Sequence, residues 1–218
     1  MKPLIKAIIL LMIFGSLLGC FNVSDAQNRG SQEDLQIITG VRIDAASGSP
    51  GVLHASINGV EKEIANGAVA AWVISDGQQI VFSGQDGAGG YENEGQSLRI
   101  YDMGTGSRRK VLSEYFVIDD VTEVRTGAGQ TALVVEMQDG GLGASHIAIV
   151  DPTRGEVFSK SRAKLLKYDT DVLVLGYYRE EDWERMARGD EISPYETERY
   201  NLDSLLQRPV IINIGRTP

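Results

Sequence analysis

Short apolar runs separated by tight-turn signals constrain the fold of this chain more than any other feature. Residues 71–74 (AWVI) and 79–83 (QIVFS) flank the tripeptide SDG at 75–77, and the dipeptide NG at 58–59 separates two further apolar runs. Asn, Asp and Gly adopt positive φ at low cost, and turns of this composition join antiparallel neighbours. The pattern therefore predicts a mostly antiparallel β protein.

A weak internal repeat of about fifty residues underlies this pattern. Residues 100–106 (IYDMGTG) match 149–155 (IVDPTRG), and residues 79–82 (QIVF) match 130–133 (QTAL). A third echo stands at 200–203 (YNLD). The repeat predicts three to four units of four strands, with approximate bounds 35–70, 71–120, 121–167 and 168–218.

The repeating unit resembles the blades of the propeller repeats in the periplasmic Tol-system protein and the prolyl oligopeptidase family. The similarity rests on the SDG turn and on the IYD…GTG turn that follows one strand later. The first turn lacks the proline of those families, and the second copy has TGAG at 126–129 instead. The resemblance implies an all-β, antiparallel, propeller-like domain; an open stack of three meander sheets and a β-sandwich are the alternatives. It implies no activity.

One segment departs from the β pattern. Residues 178–189 carry acids early and arginines late, which suits the dipole of a helix, and Glu181 and Arg185 are spaced for an i,i+4 ion pair. Gly189 and Pro194 then favour a return to extended chain. We expect one short helix inserted between two strands of the last unit.

The N-terminal residues 1–19 have the parts of a secretory signal: Lys2 and Lys6, an apolar core at 7–14, and small residues before the end. Residues 17–20 (LLGC) resemble the lipobox of bacterial lipoproteins. The resemblance implies that Cys20, the single cysteine, receives a lipid that holds the protein at a membrane. Cleavage near Ala26 is the alternative, and it would release a soluble secreted protein.

Composition limits the partners of the mature chain. Residues 20–34 are polar and predict a flexible tether after the lipidated cysteine, and residues 35–218 predict one domain. The full chain has 30 acidic and 21 basic residues and a net charge of −9, which argues against nucleic acid as a partner. Phe21 follows the cysteine where an inner-membrane signal would place Asp. We expect a bacterial cell-envelope protein, in the outer membrane if the host has one.

Residues suited to chemistry are few. The two histidines, His54 and His146, are separated in sequence and do not predict a metal site, and no cofactor is expected. Asp102 and Asp151 occupy matching turn positions, where an aspartate ordinarily accepts hydrogen bonds from nearby backbone N–H groups.

An aromatic group interleaved with acids is the strongest candidate for a partner surface. It consists of Tyr177, Tyr178, Trp183 and Tyr195, with Tyr200 nearby. The alternative is that Trp183 fixes the helix to the sheet, and the exposure of this side chain decides between the two.

These features predict a non-enzymatic binding or scaffold module for another envelope protein or a surface ligand. The alternative is a hydrolase that uses carboxylates at a propeller mouth, which would require acids converging in a pocket with a shifted pKa. A third alternative is pairing of an open sheet edge with a partner, with residues 210–214 as the candidate strand.

Overall fold

A computed structural model of the protein describes residues 37–45, 50–85, 96–113, 117–138 and 145–211. All of them belong to the unit that begins at Leu35. This part of the chain forms thirteen β-strands, two α-helices and a single 3-10 turn at Ser75–Gly77. Every pairing is antiparallel and joins neighbours along the chain, so the strands form three meander sheets. The prediction of a mostly antiparallel β protein is confirmed.

The first sheet has six strands in chain order. They are β1 (Ile38–Asp44), β2 (Gly51–Ile57), β3 (Val60–Ile74), β4 (Gln79–Gln85), β5 (Gln96–Asp102) and β6 (Arg108–Ser113). Strand β3 is 15 residues long; it pairs with β2 up to Ala68 and with β4 from Ala68 onward. Gly67 at φ 77° and a register shift between Ala68 and Ala70 mark this division. One long strand therefore belongs to two successive layers.

The second and third sheets have four and three strands. They comprise β7 (Val117–Arg125), β8 (Thr131–Gln138), β9 (Ser145–Asp151) and β10 (Gly155–Ser161), followed by β11 (Ala163–Asp169), β12 (Val172–Tyr177) and β13 (Glu196–Asn201). Helix α1 (Glu180–Ala187) is inserted between β12 and β13, inside the predicted range 178–189. A second helix, α2 (Leu202–Leu206), was not expected; Asn201 caps it by accepting the N–H of Ser204 at 2.8 Å.

Three apolar clusters hold the layers face to face. Strands β1, β2 and the first half of β3 pack on one face of β4–β6. The other face of β4–β6 packs on the second sheet. The second sheet packs with its opposite face on the third sheet and α2. Strand β4 shows the alternation: Val81 contacts the second sheet, while Ile80 and Phe82 lie in the opposite cluster. Layers buried on both faces explain the nearly continuous apolar runs of β8 and β9.

The predicted set of four-stranded propeller units is corrected in one respect. The sheets have six, four and three strands, and the described residues do not close into a propeller ring. Face-to-face packing is the arrangement expected for the β-sandwich alternative.

On the outer face of the first layer, Arg42 pairs with Glu61 at 2.7 Å and also with Asp44. We expect a charged face of this kind to end the stack, because the free energy needed to desolvate its charges would exceed the free energy gained by packing another layer on it.

The aspartates of the repeat form turns, as expected from their positions. Asp102 Oδ1 accepts the N–H of Thr105 at 2.9 Å, and Asp151 Oδ1 accepts the N–H of Thr153 at 2.8 Å.

Of the candidate edge strand 210–214, residues 212–214 lie outside the described ranges. Ile211 is not in a strand, but its N–H donates to the carbonyl oxygen of Glu156 at 2.8 Å.

Candidate functional site

The lipidation site and the tether lie outside the described residues. Residues 1–36, which include Cys20, belong to this group, as do residues 86–95 and 139–144. The signal, lipid anchor and tether therefore stay predictions.

Two members of the aromatic group near α1 are buried, and for Trp183 this is the burial that the alternative interpretation expected. Trp183 is 4% exposed and Tyr178 is 5% exposed, and their ring centroids are 5.3 Å apart. The ammonium of Lys164 lies 5.5 Å from the centroid of the Trp183 ring. Trp183 therefore packs α1 against the sheet, and neither buried side chain is available to a partner.

Tyr177 and Tyr200 are half-buried and share an acid. The hydroxyl of Tyr177 donates to Glu198 Oε2 at 2.8 Å and lies 2.9 Å from the hydroxyl of Tyr200, which is itself hydrogen-bonded to the same carboxylate. Burial and then this carboxylate raise the pKa of Tyr177. The cluster ties β12 to β13.

Tyr195 is the one predicted aromatic that reaches the surface. It is 56% exposed, and the guanidinium of Arg179 lies 5.6 Å from the centroid of its ring. Its N–H donates to the carbonyl of Tyr177 at 3.0 Å, so its backbone is held. Of the predicted partner surface, the exposed ring of Tyr195 and the neighbouring guanidinium of Arg179 are the part that a partner could contact.

Among the acids that the structure describes, Glu136 has a raised pKa, and the sequence did not indicate it. Glu136 on β8 is directly opposite Asp120 on β7 in the register. Burial first and the Asp120 charge second raise the pKa of the Glu136 carboxyl, against a lowering by Lys164. Asp120 also accepts the indole N–H of Trp72 at 3.2 Å. Two acids therefore occupy cross-strand positions in this sheet.

The two histidines occupy separate charged or polar contacts. His54 lies 3.4 Å from Asp44 and 3.6 Å from Glu61 on the outer face of the first layer, and His146 is hydrogen-bonded to Ser161 Oγ at 3.2 Å. Within the described part of the chain, no group of three His, Cys, Asp or Glu side chains is arranged to hold a metal ion.

The most distinctive concave feature is a cleft of about 250 Å³ with four cations on its wall, and we name it the basic cleft. It lies between the first half of β3 and the strands β4–β6. Its lining consists of Ala65, Asn66, Phe82, Arg99, Arg108, Arg109 and Lys110. The lining contains no acidic side chain.

Strand register accounts for the line of side chains across the basic cleft. Phe82 is opposite Arg99, and Arg99 is opposite Lys110, so these three point to one face of the sheet. Gly84 lies beside this line: a Cβ there would be 2.7 Å from the carbonyl oxygen of Gly67 and 3.1 Å from Arg99 Nη1. The absence of a side chain lets β3 fold closely over the sheet and form the cleft.

The cationic side chains of the basic cleft differ in exposure. Arg108 is exposed and Arg109 partly buried, and neither forms an ion pair with another described residue. Burial lowers the pKa of the Arg99 guanidinium. Nearby, the ammonium of Lys62 donates to the hydroxyl of Tyr101 at 3.0 Å. The run of three cations at 108–110 in an acidic chain is the sequence signal that could have indicated this site.

A second cleft, of about 220 Å³, adjoins the first through Lys110. It lies between β6, β10 and the segment after α2, and its cations are Lys110 and Arg154. Arg154 Nε donates to Asp151 Oδ2 at 2.5 Å, and its guanidinium also donates to the carbonyls of Leu206 and Arg208. The hydrogen bonds of the Arg154 guanidinium therefore join the turn at Asp151 to the segment after α2.

No helix among the described residues is long and apolar enough to cross a membrane. Comparison of the chain with protein-family models, with curated proteins and with solved structures found no match.

Proposed function

We propose that this protein is a lipid-anchored protein of the bacterial cell envelope whose domain is a non-enzymatic binding module. The anchor follows from the lipobox-like residues 17–20 and the single cysteine, Cys20. The tether at 20–34 would let the domain search the space around its membrane. In a host with two membranes, the outer one is the proposed site.

The character of the two clefts is the observation that supports binding over catalysis. Cations outnumber acids in both linings: the first cleft has four cations and no acid, and the second has two cations and Glu156. Glu136, whose pKa is raised, lines neither. Glycoside hydrolases, for example, ordinarily place two acids on either side of the bond that is broken. The cations that line the described clefts are suited to binding a negatively charged group.

The scaffold suits such a role. We propose that its meanders are propeller-like repeats in an open, layered array, with sandwich-type packing between layers. Layers held on both faces form a rigid support, and clefts open where one strand folds from one layer to the next.

The alternative function, a carboxylate hydrolase, has one observation in its favour. Glu136 and Asp120 are cross-strand neighbours, and a carboxyl whose pKa is raised by burial and a neighbouring acid is an arrangement used for acid–base chemistry. Substitution of Glu136, described in the Discussion, separates this function from binding.

Replacing Cys20 tests the anchor. In Cys20→Ser the hydroxyl lacks the nucleophilicity of the thiol, so we expect no incorporation of radiolabelled palmitate and loss of the mature form from the membrane fraction. The matched control is Ala26→Leu, which blocks cleavage at the alternative position and should leave labelling unchanged. If Cys20→Ser still labels with palmitate, or if Ala26→Leu alone prevents maturation, the proposed lipid anchor is wrong.

A further inference from the structure

The third sheet of the described chain has one strand fewer than the two layers before it. The end of β3 forms a four-stranded layer with β4–β6, and the second sheet has four strands, whereas the third sheet stops at β13 after three. Strand β13 corresponds to β5 and β9, because the matching turn sequences at 100–106, 149–155 and 200–203 follow these strands. The outer edges of β5 and β9 pair antiparallel with β6 and β10. The outer edge of β13 is therefore the position of an absent fourth strand.

Helix α2 follows β13 at the point where β6 and β10 follow their neighbours. Its three leucines pack on the second sheet, so the helix covers apolar surface there. The backbone hydrogen bonds of a helix run within the helix, and α2 offers no ladder partner to a strand. Among the described residues, β13 pairs with β12 alone.

The edge of β13 is accessible. Four of its six side chains are exposed, and the other two, Glu198 and Tyr200, are partly buried. An edge strand directs the N–H and C=O groups of alternate residues away from its single neighbour, which makes it a template for another strand. Many edges are protected by proline, lysine or a bulge, but β13 has no proline or lysine, and its register with β12 is continuous.

Like charges disfavour a second copy of β13 as the added strand. Directly opposite residues of antiparallel strands lie on the same face, so a twofold pair of β13 strands has two registers that join five residues. One register places Glu198 opposite Glu198, and the other places Arg199 opposite Arg199. Like charges directly opposite are destabilising, so a different sequence fits this edge better.

The side chains of β13 indicate the chemistry of such a sequence. Tyr200 lies on the inner face, where its ring centroid is 4.8 Å from that of Phe158, and it favours an apolar residue opposite. Glu196 and Arg199 lie on opposite faces, and neither forms an ion pair with another described residue. They favour a base and an acid as their respective cross-strand neighbours.

We propose that β13 binds an extended segment of another protein as a fourth, antiparallel strand of the third sheet. From its N-terminus, the segment places an apolar residue opposite Tyr200, an acid opposite Arg199 and a base opposite Glu196. The exposed ring of Tyr195, which directly precedes β13, offers a further contact at the end of the edge. This inference rests on the proposed binding function and specifies the kind of partner.

Fluorescence anisotropy of labelled hexapeptides, titrated with the full mature protein in neutral detergent, tests the pairing. The matching peptide is Thr-Val-Asp-Thr-Val-Lys, which fits residues 196–201 in antiparallel register. The control peptide exchanges its Asp and Lys and keeps the same composition and net charge. We expect the matching peptide to bind about three- to tenfold more tightly, the effect of two cross-strand ion pairs. Equal affinities, or no binding of either peptide, would overturn the inference.

Charge reversal locates the binding on β13. In the double variant Glu196→Lys/Arg199→Glu, the preference should reverse, so that the exchanged peptide binds more tightly. Arg188→Glu/Glu191→Lys, at exposed positions after the end of α1, keeps the same net charge and should retain the wild-type preference. An unchanged preference in the β13 variant, or a reversed one in the control, would show that the peptide binds elsewhere.

N-methylation of the matching peptide separates strand pairing from ion pairing alone. Alternate amides of an added strand donate to β13, and the remaining amides point away from it. Of two peptides methylated at these alternate sets, one should lose binding and the other should keep it. The same affinity for both methylated peptides would show that no ladder forms.

The outcomes also separate this inference from the proposed function. If neither peptide binds while Cys20→Ser abolishes membrane attachment, the edge site is wrong and the lipoprotein is retained. If the matching peptide binds but Cys20→Ser is still lipidated, the anchor is wrong and the edge site is retained. Dimers of the mature protein that disappear in Glu196→Lys/Arg199→Glu would identify a second copy as the occupant and overturn the proposed partner.

Discussion

Single residues decide how closely the layers of this protein approach. Gly84 is the clearest case, because the carbonyl oxygen of Gly67 occupies the space that any side chain at position 84 would need. Gly67 itself, at φ 77°, turns β3 from one layer to the next. Two glycines on neighbouring strands thus allow the bend that shapes the basic cleft.

Gly84→Ala tests this close approach. A Cβ placed 2.7 Å from backbone should force β3 away, and we expect a loss of about 1–3 kcal/mol in the free energy of unfolding. Urea denaturation followed by circular dichroism measures it. Gly40→Ala is the matched control, because nothing lies within 4 Å of a Cβ at that position of β1. Equal effects at the two positions would contradict the account.

At the scale of elements, α1 shows how a surface feature of the sequence becomes packing. The helix carries acids at its start and Arg185 near its end, as the sequence predicted, and it is placed between two strands of the last sheet. Its single buried residue is Trp183, which contacts the Tyr178 ring. The helix is therefore attached to the domain through an aromatic pair.

Trp183→Ala should detach this helix. Removing a buried indole costs about 3–5 kcal/mol in well-packed sites, so we expect a destabilisation near the lower value for a short peripheral helix. Tyr195→Ala, which removes an exposed ring, should change stability by less than about 0.5 kcal/mol. Urea melts of both variants provide the measurement. If Tyr195→Ala is the more damaging change, the assigned roles of the two aromatics are wrong.

The β7–β8 pair carries an unfavourable contact between Glu136 and Asp120. Burial and the Asp120 charge raise the folded-state pKa of Glu136, so the unfolded carboxyl ionises at lower pH than the folded one. The wild type therefore loses stability as pH rises through this raised pKa, and the loss persists above it.

Glu136→Gln removes this penalty. We expect a higher melting temperature at pH 7, by about 2–4 °C for each kcal/mol gained, and little difference near pH 4, where the wild-type carboxyl is protonated. Glu191→Gln at an exposed position is the control and should have no effect at either pH. A lower melting temperature at pH 7 would contradict this penalty, whereas loss of a hydrolytic activity on substitution would favour the carboxylate hydrolase.

At the scale of the whole molecule, each strand pairs with its neighbour in the chain, so the layers follow one another along the sequence. The apolar clusters link successive layers, and charged side chains cover the outer face of the first. This arrangement explains why local patterns predicted so much of the fold. Apolar runs and turn residues indicated most strands, the SDG and NG turns, the turn aspartates and the inserted helix, all of which depend on neighbours in sequence.

The remaining features required tertiary contacts. The sequence 200–203 resembled an earlier turn, but α2 forms there because Leu202, Leu205 and Leu206 find an apolar partner in the second sheet. Burial of Trp183 depends on where the helix docks. The Glu136–Asp120 contact depends on strand register, which periodicity alone does not specify.

Sequence by itself determined the β character, the order of turns, the inserted helix and the expectation of a lipid anchor at Cys20, since each depends on local composition. Tertiary structure alone decided that the meanders formed by the described residues stack without closing into a ring and that Trp183 is buried. It also brought Arg99 and the three cations at 108–110 around one cleft, because β3 bends at Gly67 and folds over strands that follow it in the chain. The distance between side chains on different strands depends on such a bend, and local sequence patterns do not specify it.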